Sequence, residues 1–190
     1  MAMKYVLFSL MMCALPVAAQ DRDSLIAVLE TRIPGATLKD LRADPDRFLT
    51  EAAGVVLGFG GPAGIDADGI EAAIAAERAR VRARELRRLL EADLNDDLAV
   101  STAEMAVVIG AASATMRGRL MGWHLDADRD GDGTASWAEL RAFGRARARA
   151  ALGAEDAQAL RRLMIFDTDA DGRVTVAELR RAIALLNPPG

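Results

Sequence analysis

The chain has almost no cysteine, histidine or lysine: Cys13 and His124 are single occurrences, and Lys4 and Lys39 are the only lysines among 24 basic residues. One cysteine excludes an internal disulfide framework, so stability has to come from a packed core or a bound ion. One histidine and one cysteine are too few for a zinc site. No serine sits in a nucleophile elbow, so nothing points to hydrolytic catalysis, and the chain is not expected to be an enzyme. Runs of β-branched residues are scarce and apolar residues recur at helical rather than alternating spacing. An all-α fold is expected. The formal net charge of −4 argues against nucleic acid as a partner.

At the N-terminus Lys4 precedes an apolar run, Tyr5 to Leu15, and then Pro16-Val17-Ala18-Ala19-Gln20. This has the three regions of a secretory signal peptide over residues 1–19, with cleavage expected after Ala19. The run is too short for a comfortable membrane span, although a retained anchor is the competing reading. A lipoprotein signal around Cys13 is disfavoured, because Met12 stands where a small residue is wanted. The mature chain would be periplasmic or secreted, free of cysteine and without a membrane span. Without Lys4 its net charge becomes −5.

What the chain does have is carboxylate at regular spacing. Asp128-Arg129-Asp130-Gly131-Asp132-Gly133-Thr134-Ala135-Ser136-Trp137-Ala138-Glu139 and Asp167-Thr168-Asp169-Ala170-Asp171-Gly172-Arg173-Val174-Thr175-Val176-Ala177-Glu178 follow one template. Oxygen-bearing side chains stand at loop positions one, three, five and nine, glycine at six and glutamate at twelve. Ca²⁺ takes six to eight oxygens at roughly 2.3–2.6 Å, so Asp128, Asp130 and Asp132 would each offer one and Glu139 two. Asp167, Asp169, Asp171 and Glu178 form the second set. At position seven the ligand is a backbone carbonyl, which Thr134 and Arg173 can supply whatever their side chains, while Ser136 and Thr175 would act through a water. Gly133 and Gly172 sit where the loop turns left-handed, a conformation costing other residues about 1–2 kcal/mol. A frame starting at Asp126 would put Trp137 at position twelve and fails, which leaves Asp126 a helix-end charge. Crowded carboxylates repel one another, so these loops make sense as ion cages rather than as plain turns.

These residues resemble the loops of EF-hand proteins, and the resemblance implies a calmodulin-like bundle of helix-loop-helix hands that binds calcium. A third stretch, 93–104, supplies Asp93, Asn95, Asp97, Ser101 and Glu104 but has Leu98 in the glycine position. Binding there is expected to be weak or absent. Loop starts at 93, 128 and 167 lie 35 and 39 residues apart, and a further step of 35 backward lands on Gly58. Segment 58–69 has no acid at positions one, three or five, yet it places Ile65 at position eight, where such loops carry the apolar residue that pairs with a neighbouring loop. Val100, Ala135 and Val174 hold the same place. The segment reads as a vestigial hand, with an ordinary glycine-rich linker as the alternative.

The expected organisation is an N-terminal helical segment at 20–44, a degenerate pair at 45–112 and a calcium-binding pair at 113–190. The first pair joins hands 45–91 and 83–112, the second hands 114–150 and 154–187, as two lobes. The two intact loops would then lie back to back and bind cooperatively. Helices are predicted near 22–33, from Pro45 to about Leu57 and from Ile70 to Ala92, with 58–64 as a loop. In the last helix Ile74, Val81, Leu86, Leu89 and Leu90 mark the apolar side. Its arginines, interleaved with Glu77, Glu85 and Glu91, make a solvated face rather than an anion-binding patch. His124 is expected to be a partly buried helix residue.

Two functions suit this pattern. One is a calcium buffer or calcium-stabilised interaction module outside the cell. The other is a sensor that opens a groove for a protein or peptide target, with Met105, Met116, Met121 and Met164 as its adaptable lining. Mg²⁺ is disfavoured by a bidentate glutamate at position twelve.

Overall fold

The structure, a computed structural model, describes residues 17–188, so the expected signal peptide lies almost entirely outside the described residues. Helices α1 (Val17–Arg32), α2 (Gly35–Ala43), α3 (Pro45–Gly60) and α4 (Ala67–Leu90) fill the first half of the chain. Then come β1 (Val100–Ser101), α5 (Thr102–Gly110), α6 (Ala114–Ala127), β2 (Thr134–Ala135), α7 (Trp137–Ala151), α8 (Ala154–Arg161) and α9 (Val176–Leu186). Short 3₁₀ turns at Gly61–Ala63 and Arg162–Phe166 complete the set. The all-α expectation holds, the two strands being two residues each.

Local chemistry explains most boundaries. Pro45 opens α3 behind the cap Asp44, whose carboxylate accepts the Arg47 N–H at 3.0 Å. Asp66 caps α4 in the same way through Gly69 N–H at 2.9 Å. α5 and α9 open with complete capping boxes, Ser101 with Glu104 and Thr175 with Glu178. Residues at loop positions nine and twelve therefore start the helices that leave the loops.

Two expectations about the helices need correction. α3 runs through Gly58, Phe59 and Gly60, and its glycines do not end it; the stop is Gly61, whose φ of +65° leaves helical space. Within the helical segment expected at 20–44, a second helix after Pro34-Gly35 is not predicted, and α2 supplies one. Pro34 precedes it, and Leu41 buries completely while Leu38 packs alongside, so tertiary burial rather than propensity holds this short helix.

The loop pairing also differs from the expected order. Ile65 of segment 58–69 bridges Val174 of the last loop, and Val100 pairs with Ala135, both antiparallel. The hands therefore pair first with fourth and second with third, not in sequence order. The physical reason is α4: its 24 residues form one unbroken helix, about 36 Å long, which carries the chain away from segment 58–69 before the next loop begins. α7 returns antiparallel to it. Arg78 donates to the Leu152 carbonyl at 3.2 Å, and Gly144 lies against Arg82 and Leu86.

Two cores result, and they do not follow the expected division at 112/113. One gathers Leu29, Ile33 and Leu41 from the N-terminal helices with Val56, Ile65, Ile74, Phe166, Val174, Leu179 and Ile183. The other contains Leu89, Val100, Met105, Ala135, Leu140 and Phe143. The N-terminal segment 20–44 is thus part of the first core. All four position-eight residues, Ile65, Val100, Ala135 and Val174, are fully buried.

Candidate metal centres

Each acidic loop is shaped by its own first aspartate. Asp128 accepts Gly131 N–H at 2.9 Å on one oxygen and Gly133 N–H at 3.0 Å on the other. Asp130 accepts Asp132 N–H, and Asp132 accepts Thr134 N–H at 2.8 Å. Asp167 binds the Asp171 and Gly172 N–H groups in the same manner, Asp169 accepts Asp171 N–H, and Asp171 accepts Arg173 N–H at 2.8 Å. These bonds curl the backbone around the side chains, so carboxylates that repel one another still point inward.

Glutamate at position twelve bonds back to the start of each loop. Glu139 accepts the Arg129 N–H at 2.8 Å on one oxygen and the Ser136 N–H and hydroxyl at 2.9 and 2.7 Å on the other. The Ser136 hydroxyl, followed by the backbone N–H groups of Ser136 and Arg129, draws its carboxyl down from 4.5 to about 2. Glu178 is bound alike by Thr168 and Thr175. Burial pushes the Glu178 carboxyl up, but the N–H groups of Thr175 and Thr168 with their hydroxyls outweigh it, and the net direction is down. Both glutamates are therefore held ionised, the form a cation needs.

The donor sets fit a divalent ion. Asp128, Asp130 and Glu139 each place a carboxylate oxygen within 4.8 Å of the others, and Asp167, Asp169 and Asp171 do the same. A Ca²⁺ ion with bonds of roughly 2.4 Å spans about that distance between its own ligands. Among the described residues these are the two acidic groupings close enough to share an ion. Asp132 stands outside the first trio and Glu178 outside the second. Thr134 and Arg173 stand at position seven, and Ser136 and Thr175 head the following helices at position nine.

The loop 93–104 has the same backbone design. Asp93 accepts the Asp97 and Leu98 N–H groups, Asn95 accepts Asp97 N–H, and Glu104 accepts the Leu94 and Ser101 N–H groups. The Ser101 N–H, then its hydroxyl, lower the Glu104 carboxyl. Leu98 adopts φ +64°, as its place requires. The Asn95 amide also donates to Asp97 at 2.9 Å, so neutral nitrogen stands where the intact loops have carboxylate.

Position four was missed in the sequence. Asp96, Gly131 and Ala170 all adopt left-handed φ values, 61°, 74° and 59°, so each loop turns left-handed twice. The only sequence hint is Gly131. His124 is also more enclosed than expected, at 1% exposure: Nε2 donates to the Val100 carbonyl at 2.9 Å and ties α6 to β1. Asp126 is the helix-end charge expected, paired with Arg147 at 2.8 Å. On α4, Glu85 is buried between Arg84 and Arg88, while Glu77 and Glu91 pair with Arg80 and Arg87 on the exposed side.

The methionines do not converge on one groove. Met105 is buried in the second core and Met121 packs against it, Met164 packs against the first core, and Met116 is exposed.

Helices flank oxygen-lined loops that pair through one apolar residue each, a helix-loop-helix arrangement. Residues 160–184, which span the last loop, match the family model described as EF hand. No curated protein and no solved structure matches the chain. The match covers that one hand, and together with the two acidic trios it suggests calcium binding.

Proposed function

We propose that the chain is an exported calcium-binding protein with two sites, 128–139 and 167–178, in which calcium acts as a buffered or structural ion. Asp128, Asp130, Thr134, Ser136 and Glu139 would hold one ion with Asp132, and Asp167, Asp169, Asp171, Arg173, Thr175 and Glu178 the other. The observation that carries this is the convergence of three carboxylate oxygens within 4.8 Å in each loop. Export rests on the composition of residues 1–19. No helix among the described residues is long and apolar enough to cross a membrane.

The closed cores support the buffer or structural role over a sensor. α1 and α2 place Leu29, Ile33 and Leu41 inside the first core, so this chain's own N-terminal helices cover apolar surface that a target helix would otherwise need. One observation favours the sensor as a second reading. A groove of about 340 Å³ between α3 and α8 is lined by Phe48, Val55, Leu160 and Leu163, with Glu51 and Asp156 beside them. An apolar floor with acidic neighbours suits a basic amphipathic peptide. Loop 93–104 adds at most a weak third site.

Calorimetric titration with Ca²⁺ alongside a hydrophobic dye tests both readings. Two sites with unchanged or falling dye binding support the buffer or structural role. Two sites with a large rise in dye binding support the sensor, and no calcium uptake overturns both.

A further inference from the structure

Arg173 has two positions to serve at once. Its backbone carbonyl would be the position-seven ligand of the loop 167–178, while its side chain leaves that loop for the vestigial one. Nη1 donates to the Gly64 carbonyl at 3.2 Å and Nη2 to the Asp66 carboxylate at 3.0 Å. Counted from Gly58, Gly64 is position seven and Asp66 position nine of segment 58–69. Those are two of the six places at which an intact loop presents oxygen to an ion. The segment has no acid at positions one, three and five, and its remaining ligand-position oxygens meet a guanidinium instead of a metal.

We propose that the Arg173 guanidinium is the built-in cation of segment 58–69, and that through it this metal-free loop sets the calcium affinity of the loop 167–178. The proposal rests on the calcium reading of that loop. Geometry supports a fixed rather than incidental contact. Ile65 and Val174 exchange backbone hydrogen bonds at 2.9 and 2.8 Å directly beside it. Gly64 adopts φ +88°, and a Cβ there would lie 2.8 Å from the Val174 carbonyl oxygen, so the two loops meet backbone to backbone. The second Asp66 oxygen is committed to Gly69 N–H as the cap of α4. Arg173 thus links a calcium ligand, a helix cap and the partner loop. A planar fork suits two acceptors better than a lysine would.

Plain charge and positioning predict opposite signs, which makes the test decisive. Removing a positive charge beside the acidic loop should tighten calcium binding if charge alone matters, whereas losing the clamp should weaken it. The parent is the full chain carrying Glu139→Gln, which leaves the site at 167–178. Arg173→Met, Asp66→Asn and the double variant are titrated with Ca²⁺, and the same four proteins are unfolded with urea in chelator. The ion pair is about half exposed, so each single variant is expected to weaken calcium binding roughly two- to fivefold. The double variant should be no weaker than the worse single one, and the urea midpoints should show the same coupling. Arg173→Met binding more tightly, or additive midpoints in chelator, would overturn the proposal. A parent that takes up no calcium overturns the calcium reading and the tuning with it, while the chelator series still decides whether the clamp exists.

Discussion

Ile65 and Val174 donate to each other's carbonyls at 2.9 and 2.8 Å, each from the eighth position of its loop. That exchange joins a loop without acidic ligands at its first three ligand positions to a loop with a full set. Val100 and Ala135 repeat the arrangement with the partly degraded loop 93–104 and the intact loop 128–139. Each loop with a complete template thus leans on a degraded partner, and the two complete loops belong to different cores.

The stoichiometry should follow. Glu139→Gln and Glu178→Gln should each remove one calcium site and leave the other's affinity within about twofold, because each loop pairs with a different partner loop. Glu104→Gln should leave the count at two. Calorimetric titration checks all three, and strong positive cooperativity between the sites would contradict the arrangement.

Gly64 should tolerate no side chain. Its φ of +88° and the 2.8 Å approach of a Cβ to the Val174 oxygen combine. Gly64→Ala is expected to cost about 2–3 kcal/mol, read by urea unfolding in chelator. Weaker calcium binding at 167–178 with no change at 128–139 should accompany it.

Leu98 carries the opposite error. It holds φ +64° with 46% of its surface exposed, so glycine removes strain and forfeits little burial. Leu98→Gly should stabilise the chelated protein by about 0.5–1 kcal/mol after the entropy of glycine is subtracted. It should also strengthen calcium binding at 93–104. An unchanged or lower melting temperature would count against that account of the loop.

Acid should loosen the metal-free protein through Glu139. Its carboxyl stands at about 2 in the folded chain against an ordinary 4.5. A depressed folded value contributes stability above the unfolded value, and that contribution is lost as pH falls through the folded one. The melting temperature in chelator should therefore hold from about pH 7 to pH 5 and decline toward pH 2–3. Glu139→Gln should show a shallower decline. Melting temperatures that rise over the acid range would contradict the assignment.

The clustering of Asp128, Asp130 and Glu139 and of Asp167, Asp169 and Asp171 was legible, because a cation template fixes residue types and spacing without reference to the rest of the fold. Ile65 was legible by the same route, through the repeat step that assigned it position eight. Loop partners were harder to read, since every position eight is apolar and any two could pair. The needed signal was present in α4: from Ile70 to Leu90 the chain has neither glycine nor proline. An uninterrupted helix of that length cannot fold back to set its flanking loops side by side. α2 left no comparable trace, because Pro34-Gly35 reads as a stop and only burial of Leu41 reveals the helix. The Arg173 contact was invisible, since position seven contributes its carbonyl and constrains no side chain.

Nuclear Overhauser contacts in the calcium-loaded, isotope-labelled protein test the pairing most directly. Cross-strand contacts are expected between the backbones of Ile65 and Val174 and between those of Val100 and Ala135. Contacts between Ala135 and Val174, the position-eight residues of the two intact loops, would contradict it.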